Sequence, residues 1–154
     1  MAENGGSSVE TILLVEDDVG AIRLLEEAID ETEYNLALIS ATDGVEAFDV
    51  LHRRGEYRDG PTPQIIVLDL GLPDKQGQQI LSEIREDDQL RNLPIVIFSE
   101  STDQDTIDEC YRLGANAFVS KPKDYDDLLT FVNKLVCFWL KTASLPSTPK
   151  SAPS

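Results

Sequence analysis

Three short segments, Thr11–Val15 (TILLV), Gln64–Leu68 (QIIVL) and Ile95–Phe98 (IVIF), are near-continuous aliphatic runs. A strand with one wet face alternates polar and apolar residues. A continuous apolar strand must be buried on both faces, which is the condition of a parallel sheet between two helix layers. Asn35–Ser40 and Ala117–Ser120 supply two more strand candidates. Amphipathic patterns follow the strands at Val19–Glu31, Val45–Arg54, Gln76–Asp87, Asp103–Leu113 and Asp126–Thr142. Asp43-Gly44 opens the second helix and Gly114 closes the fourth. Five strands alternating with five helices predict an α/β fold, a doubly wound (βα)5 unit with a parallel sheet of order 2-1-3-4-5.

Such sheets bind ligands at the carboxyl ends of their strands. The first strand runs into Glu16-Asp17-Asp18, the third into Asp69, the fourth into Ser99 and the fifth into Lys121-Pro122. In the expected order these ends converge on one crevice. Facing carboxylates repel unless a hard divalent cation sits among them, and Mg2+ takes oxygen ligands while keeping water in its shell. Asp69 is then a carboxylate nucleophile, and Lys121 and Ser99 are groups able to balance charge on a transferring phosphoryl group. Each residue alone has a plainer reading: Asp18 as a helix cap, Lys-Pro as a turn, Ser99 as any serine. Four such groups at four correct strand ends are hard to explain that way.

The segments ILLVEDD (Ile12–Asp18), DGVEA (Asp43–Ala47), IIVLDLGLPDKQG (Ile65–Gly77), PIVIFSES (Pro94–Ser101) and GANAFVSKP (Gly114–Pro122) agree in order and spacing. Through them the chain resembles the response-regulator receiver family, of flavodoxin-like fold, across roughly Glu10 to Trp139. The resemblance implies that Asp69 is the phosphoacceptor for a histidine kinase. It implies Mg2+ held by Glu16, Asp17, Asp69 and the backbone carbonyl of Gly71. Ser99 and Phe118 would form the switch, Lys121 would be the charge-balancing lysine, and Pro122 would follow a cis peptide. On this reading the chain is no enzyme toward other substrates and catalyses only its own phosphorylation and dephosphorylation. Three positions depart from the family pattern: Glu100 could narrow phosphoryl access, Gln76 replaces a common Asp, and Gly71 has no side chain to steer the hydrolytic water. Glu100 also keeps open a pseudo-receiver that binds partners without being phosphorylated. A nucleotide or flavin binder would need a Gly-rich loop where EDDVG stands, and an Asp-nucleophile phosphatase would want a second Asp at Gly71.

The sequence FWLKTASLP (Phe138–Pro146) with VEDDVGAIRLLEEAI resembles stand-alone regulators paired with phytochrome-type histidine kinases. The expected organisation is a tail at 1–9, a receiver domain at 10–142 and a Ser/Pro-rich tail at 143–154. Net charge is −16, with sixteen Asp against six Lys, which suggests a halophilic, haloarchaeal relative. That charge disfavours direct nucleic-acid binding. With no membrane span, no secretory leader and no paired cysteine motif, a cytoplasmic protein with Cys110 and Cys137 packed as thiols is expected. On the last helix, Leu128, Val132, Leu135 and Trp139 make one inward stripe. Leu129, Val136 and Leu140 make a second about 100° away, which predicts a homodimer through the C-terminal helix.

Overall fold

The computed structural model describes residues 10–101 and 103–147; the expected tail at 1–9 and residues 148–154 lie outside the described residues. Five parallel strands, β1 (Glu10–Val15), β2 (Leu36–Ala41), β3 (Ile65–Asp69), β4 (Ile95–Ser99) and β5 (Ala117–Ser120), form one sheet in the order β2-β1-β3-β4-β5. Five helices, α1 (Val19–Asp30), α2 (Gly44–Leu51), α3 (Gln76–Glu86), α4 (Gln104–Arg112) and α5 (Tyr125–Leu135), cover both faces. The expected flavodoxin-like topology is therefore observed, with element ends shifted by a few residues at most, save where helices two and five stop early.

The aliphatic runs are buried as their composition requires: every residue of β3 and β4 is buried, whereas the edge strands β2 and β5 are half-covered. Alternation along β1 splits the core in two. Leu13 and Val15 face α2, α3 and Cys110 of α4, while Ile12 and Leu14 face α1 and α5. Helix starts carry acidic caps: Asp18 accepts from the Gly20 amide, Asp43 from Glu46, Asp103 from Thr106 and Asp124 from Asp127. Gly114 ends α4 at φ 109, a conformation that costs a side-chain-bearing residue dearly. The loop from β3 into α3 places Asp74 (φ 56) and Lys75 (φ 59) consecutively in the left-handed region, without the glycine that would mark it in a sequence.

Three expectations need correction. The last helix does not stay α-helical to Thr142; it turns π-helical over Val136–Thr142, closed by a bond from the Ala143 amide to the Phe138 carbonyl. Val136 and Leu140 nevertheless both reach the α1/α5 core, and Leu129, still within α-helical α5, packs against it. One chain thus covers the second stripe, leaving Phe138 as the exposed large apolar residue of this segment, edge-on to Trp139. Cys137 is not packed: it is exposed, with its sulfur 3.1 Å from the Tyr34 hydroxyl. The Lys121–Pro122 peptide is trans, as are all described peptides, in line with the intrinsic preference even before proline.

Candidate functional site

Strand register builds the site. Asp69 pairs with Phe98 and Ser99 with Ser120, so Asp69, Ser99 and Lys121 emerge on neighbouring strand ends, with Glu16 directly after β1. Glu16, Asp17, Asp69, Gly71, Ser99 and Lys121 line one cavity of about 440 Å3, joined by Gln78, Glu100, Ser101 and Thr106. A larger groove, about 680 Å3, lies between α2 and α3 and holds none of the strand-end residues. Size alone would misplace the site. Gln76 belongs to that groove, so its departure from the family pattern falls outside the cavity. Phe118 does not line the cavity either; it packs, half-buried, against the α2/α3 side of the core, and its amide donates to the Tyr111 hydroxyl of α4.

Lys121 organises the carboxylates. Its Nζ stands 3.0 Å from Glu16 Oε1 and 3.1 Å from Asp69 Oδ1, both on nearly buried residues. Asp69 Oδ1 also accepts from the Gly71 amide at 2.9 Å, and Glu16 Oε2 from the Asp18 amide at 3.2 Å. The Ser99 oxygen accepts from the Ser101 amide, which leaves its proton free to be donated. Oxygens of Glu16, Asp17 and Asp69 lie within 4.8 Å of one another. One ammonium among three carboxylates leaves an excess of negative charge, and a set made only of carboxylate oxygens suits a hard cation of the Mg2+ kind.

Burial first, then the adjacent Asp69, pushes the Glu16 carboxyl up to about 7, with Lys121 opposing. Burial alone would lower Lys121, but its hydrogen bond to Glu16 and the charge of Asp69 outweigh burial and raise it. Between the ordinary 4.5 and about 7, the native chain keeps a Glu16 proton that the unfolded chain has lost. The native state then binds more protons, so stability falls as pH rises through that window. Metal-free wild type is expected to lose stability relative to Glu16→Gln between pH 4.5 and about 7, read by urea unfolding at fixed ionic strength. Parallel stability curves would contradict a raised Glu16.

Sequence reasoning missed Gln78, whose amide oxygen is buried without a partner among the described residues, and Tyr111, which ties α4 to the β5 edge. Neither carries a motif; only the distance from Asp69 along α3 hints at Gln78.

The response regulator receiver domain profile matches residues 12–133. Response regulator Rcp1 of Synechocystis sp. is 36% identical over 138 residues, covering 90% of this chain and 94% of Rcp1. The phosphorylated cyanobacterial phytochrome response regulator RcpA superposes with a TM-score of 0.82 at 37% identity, over 91% of this chain and 100% of RcpA. A Mn2+-bound form of Rcp1 gives 0.78 at 36% identity, over 90% and 99%. The similarity to cyanobacterial regulators gives no support to the haloarchaeal affinity expected from the acidity. A profile covering most of the chain and relatives matched along nearly their whole length place this protein in the response regulator receiver domain family.

Proposed function

We propose that the chain is a receiver in which Asp69 accepts a phosphoryl group from a histidine kinase. The observation that carries this reading is the Lys121 ammonium bridging Asp69 and Glu16 in a cavity shared with the Ser99 hydroxyl. An Asp69 oxygen attacks the phosphorus of a phosphohistidine, the P–N bond breaks, and the imidazole leaves. Lys121 orients the Asp69 carboxylate and balances charge on the incoming group, and the Ser99 hydroxyl donates to a phosphoryl oxygen. Glu16, Asp17, Asp69 and the Gly71 carbonyl would hold Mg2+, which when bound neutralises charge on the phosphoryl oxygens. The chemistry is confined to the chain's own aspartate. Ser99 and Phe118 would form the switch: Ser99 moves toward the phosphate, Phe118 turns inward, and the α4–β5 surface changes as two packings exchange population.

The phytochrome assignment of RcpA supports a phytochrome-type kinase as the donor. Radiolabelled phosphate is expected to pass from such a kinase to wild type and not to Asp69→Asn; transfer to neither would remove the kinase assignment. Glu100 lines the cavity and favours, as a second reading, a pseudo-receiver whose cavity repels anionic donors. That reading requires wild type to stay unlabelled by every donor.

A homodimer is supported by Phe138, 55% exposed beside Trp139, and light scattering of wild type against Phe138→Asp tests it. Among the described residues no helix is long and apolar enough to cross a membrane, and a cytoplasmic setting fits a kinase-coupled acceptor. The charge of −16 argues against direct nucleic-acid contact and for a halophilic protein. Repulsion among like charges is only partly screened at about 0.1 M salt, where the Debye length is about 10 Å. Melting temperature is expected to climb steadily into multimolar KCl; a plateau above a few tenths molar would leave an ordinary acidic protein.

A further inference from the structure

Gln78 stands in the first turn of α3, and its side chain lines the cavity that holds Asp69, Ser99 and Lys121. Its amide oxygen is out of contact with water, below 1 Å2 of exposure, and has no hydrogen-bond partner among the described residues. Leaving an amide oxygen unpaired inside a protein is costly, and such groups call for a reason. Gly77 explains how the amide comes to be there. A Cβ on Gly77 would meet the Asp69 carbonyl oxygen and the Leu70 Cα at 3.0 Å, so α3 begins pressed against the end of β3. The next side chain along is therefore held beside the cavity by backbone contact.

Three neighbouring positions are less suited to orient a water. Gly71 has no side chain, and a Cβ there would press on Asp69 Oδ1 at 3.2 Å. The Thr106 hydroxyl is 2.9 Å from Asp103 Oδ2 and donates to it. Glu100 is an anion and repels a phosphorylated Asp69. Gln78 offers a neutral acceptor, and rotation about its soft terminal torsion turns either end of the amide toward the cavity.

We propose that Gln78 is a positioning residue for hydrolysis of the aspartyl phosphate: turned about its terminal torsion into the cavity, its amide oxygen accepts a hydrogen bond from the attacking water. This rests on the reading of Asp69 as phosphoacceptor. The water oxygen bonds to phosphorus opposite the Asp69 oxygen, and the P–O bond to Asp69 breaks. Asp69 leaves as a carboxylate, and both water protons go out on dihydrogen phosphate. Gln78 takes no proton; it fixes where the water stands, as glutamine does in some nucleotide hydrolases.

The test compares wild type, Gln78→Leu and Gln78→Asn, each loaded with acetyl phosphate and Mg2+ and then stripped of donor. Decay of the phosphorylated mass is followed, together with the rate of loading and the melting temperature of the unloaded, metal-free protein. Decay is expected to slow roughly five- to tenfold in both variants, with loading unchanged. Gln78→Leu should melt at or above wild type, because it removes the unpaired oxygen. Decay within twofold of wild type, or faster, overturns the proposal whatever the melting temperatures. Should Gln78→Leu not fold, the shorter amide of Gln78→Asn decides by the same criterion. An unlabelled wild type overturns the phosphoacceptor reading and this proposal with it; a labelled wild type with unchanged decay in the variants overturns this proposal alone.

Discussion

Lys121→Met is expected to keep the fold and to slow phosphorylation of Asp69 by about a hundredfold or more, the scale seen when one preorganised charge donor is removed from a reacting centre. The methionine side chain is close to lysine in length, so packing along β5 is preserved while the charge goes. Asp69 Oδ1 loses the ammonium 3.1 Å away, and Glu16 Oε1 loses its partner at 3.0 Å. The fold survives because Glu16 can take up a proton. Its carboxyl already sits at about 7, and loss of the opposing lysine moves it further up. Removing Lys121 should therefore cost little stability at pH 6 and more at pH 8, where the native chain must hold a Glu16 proton against the solution or face Asp69 with a second charge. Loading by acetyl phosphate at saturating Mg2+, with urea unfolding at both pH values, checks both parts. A variant that loads at the wild-type rate would make Lys121 a structural cation.

Arg85→Met is expected to cost about 2–3 kcal/mol, the scale of losing a charged, half-buried hydrogen-bond donor. Arg85 stands near the end of α3, half-buried, and burial holds its guanidinium below the usual arginine value. Its Nε donates to the Gly114 carbonyl at 2.8 Å, one terminal nitrogen donates to the Arg91 and Leu93 carbonyls, and the other to Asn116 Oδ1. Asn116 passes the contact on by accepting from the Ile95 amide at the start of β4. One side chain thus pins α3, the entry to β4 and the α4–β5 turn. Methionine fills the stem's place but leaves three carbonyls to find water. The melting temperature should fall by about 5–10 °C. Gly114→Ala should fall in the same direction, since a Cβ there would meet Arg85 Cγ at 2.8 Å and strain the positive φ. A loss below 1 kcal/mol in Arg85→Met would show that solvent satisfies those carbonyls.

The parts of this molecule legible in its sequence are those set by short-range pattern. Continuous aliphatic runs demanded a parallel sheet, and the sheet order then carried Glu16, Asp69, Ser99 and Lys121 to one place before any distance was known. Asp18 and Asp43 could be read as caps because a cap is a local bond. What stayed hidden depends on geometry that no local pattern encodes. The stripes on the last helix were laid out at about 100° per residue; the π-helical turn at Val136–Thr142 breaks that spacing, and Val136 and Leu140 are both buried within the one chain. Arg85 finds its partners up to 31 residues away, mostly as carbonyls, which have no sequence signature. The left-handed pair Asp74 and Lys75 lacks the glycine or asparagine that usually announces such a turn. Gln78 shows its interest only when burial reveals an amide without a partner.

The central claim is that Asp69 accepts the phosphoryl group. Intact-mass measurement of the chain with acetyl phosphate and Mg2+ addresses it most directly, with and without chelator and on Asp69→Asn in parallel. The account predicts one added phosphoryl mass on wild type, none with chelator and none on Asp69→Asn. Full labelling of Asp69→Asn, or labelling that survives removal of the metal, would contradict it.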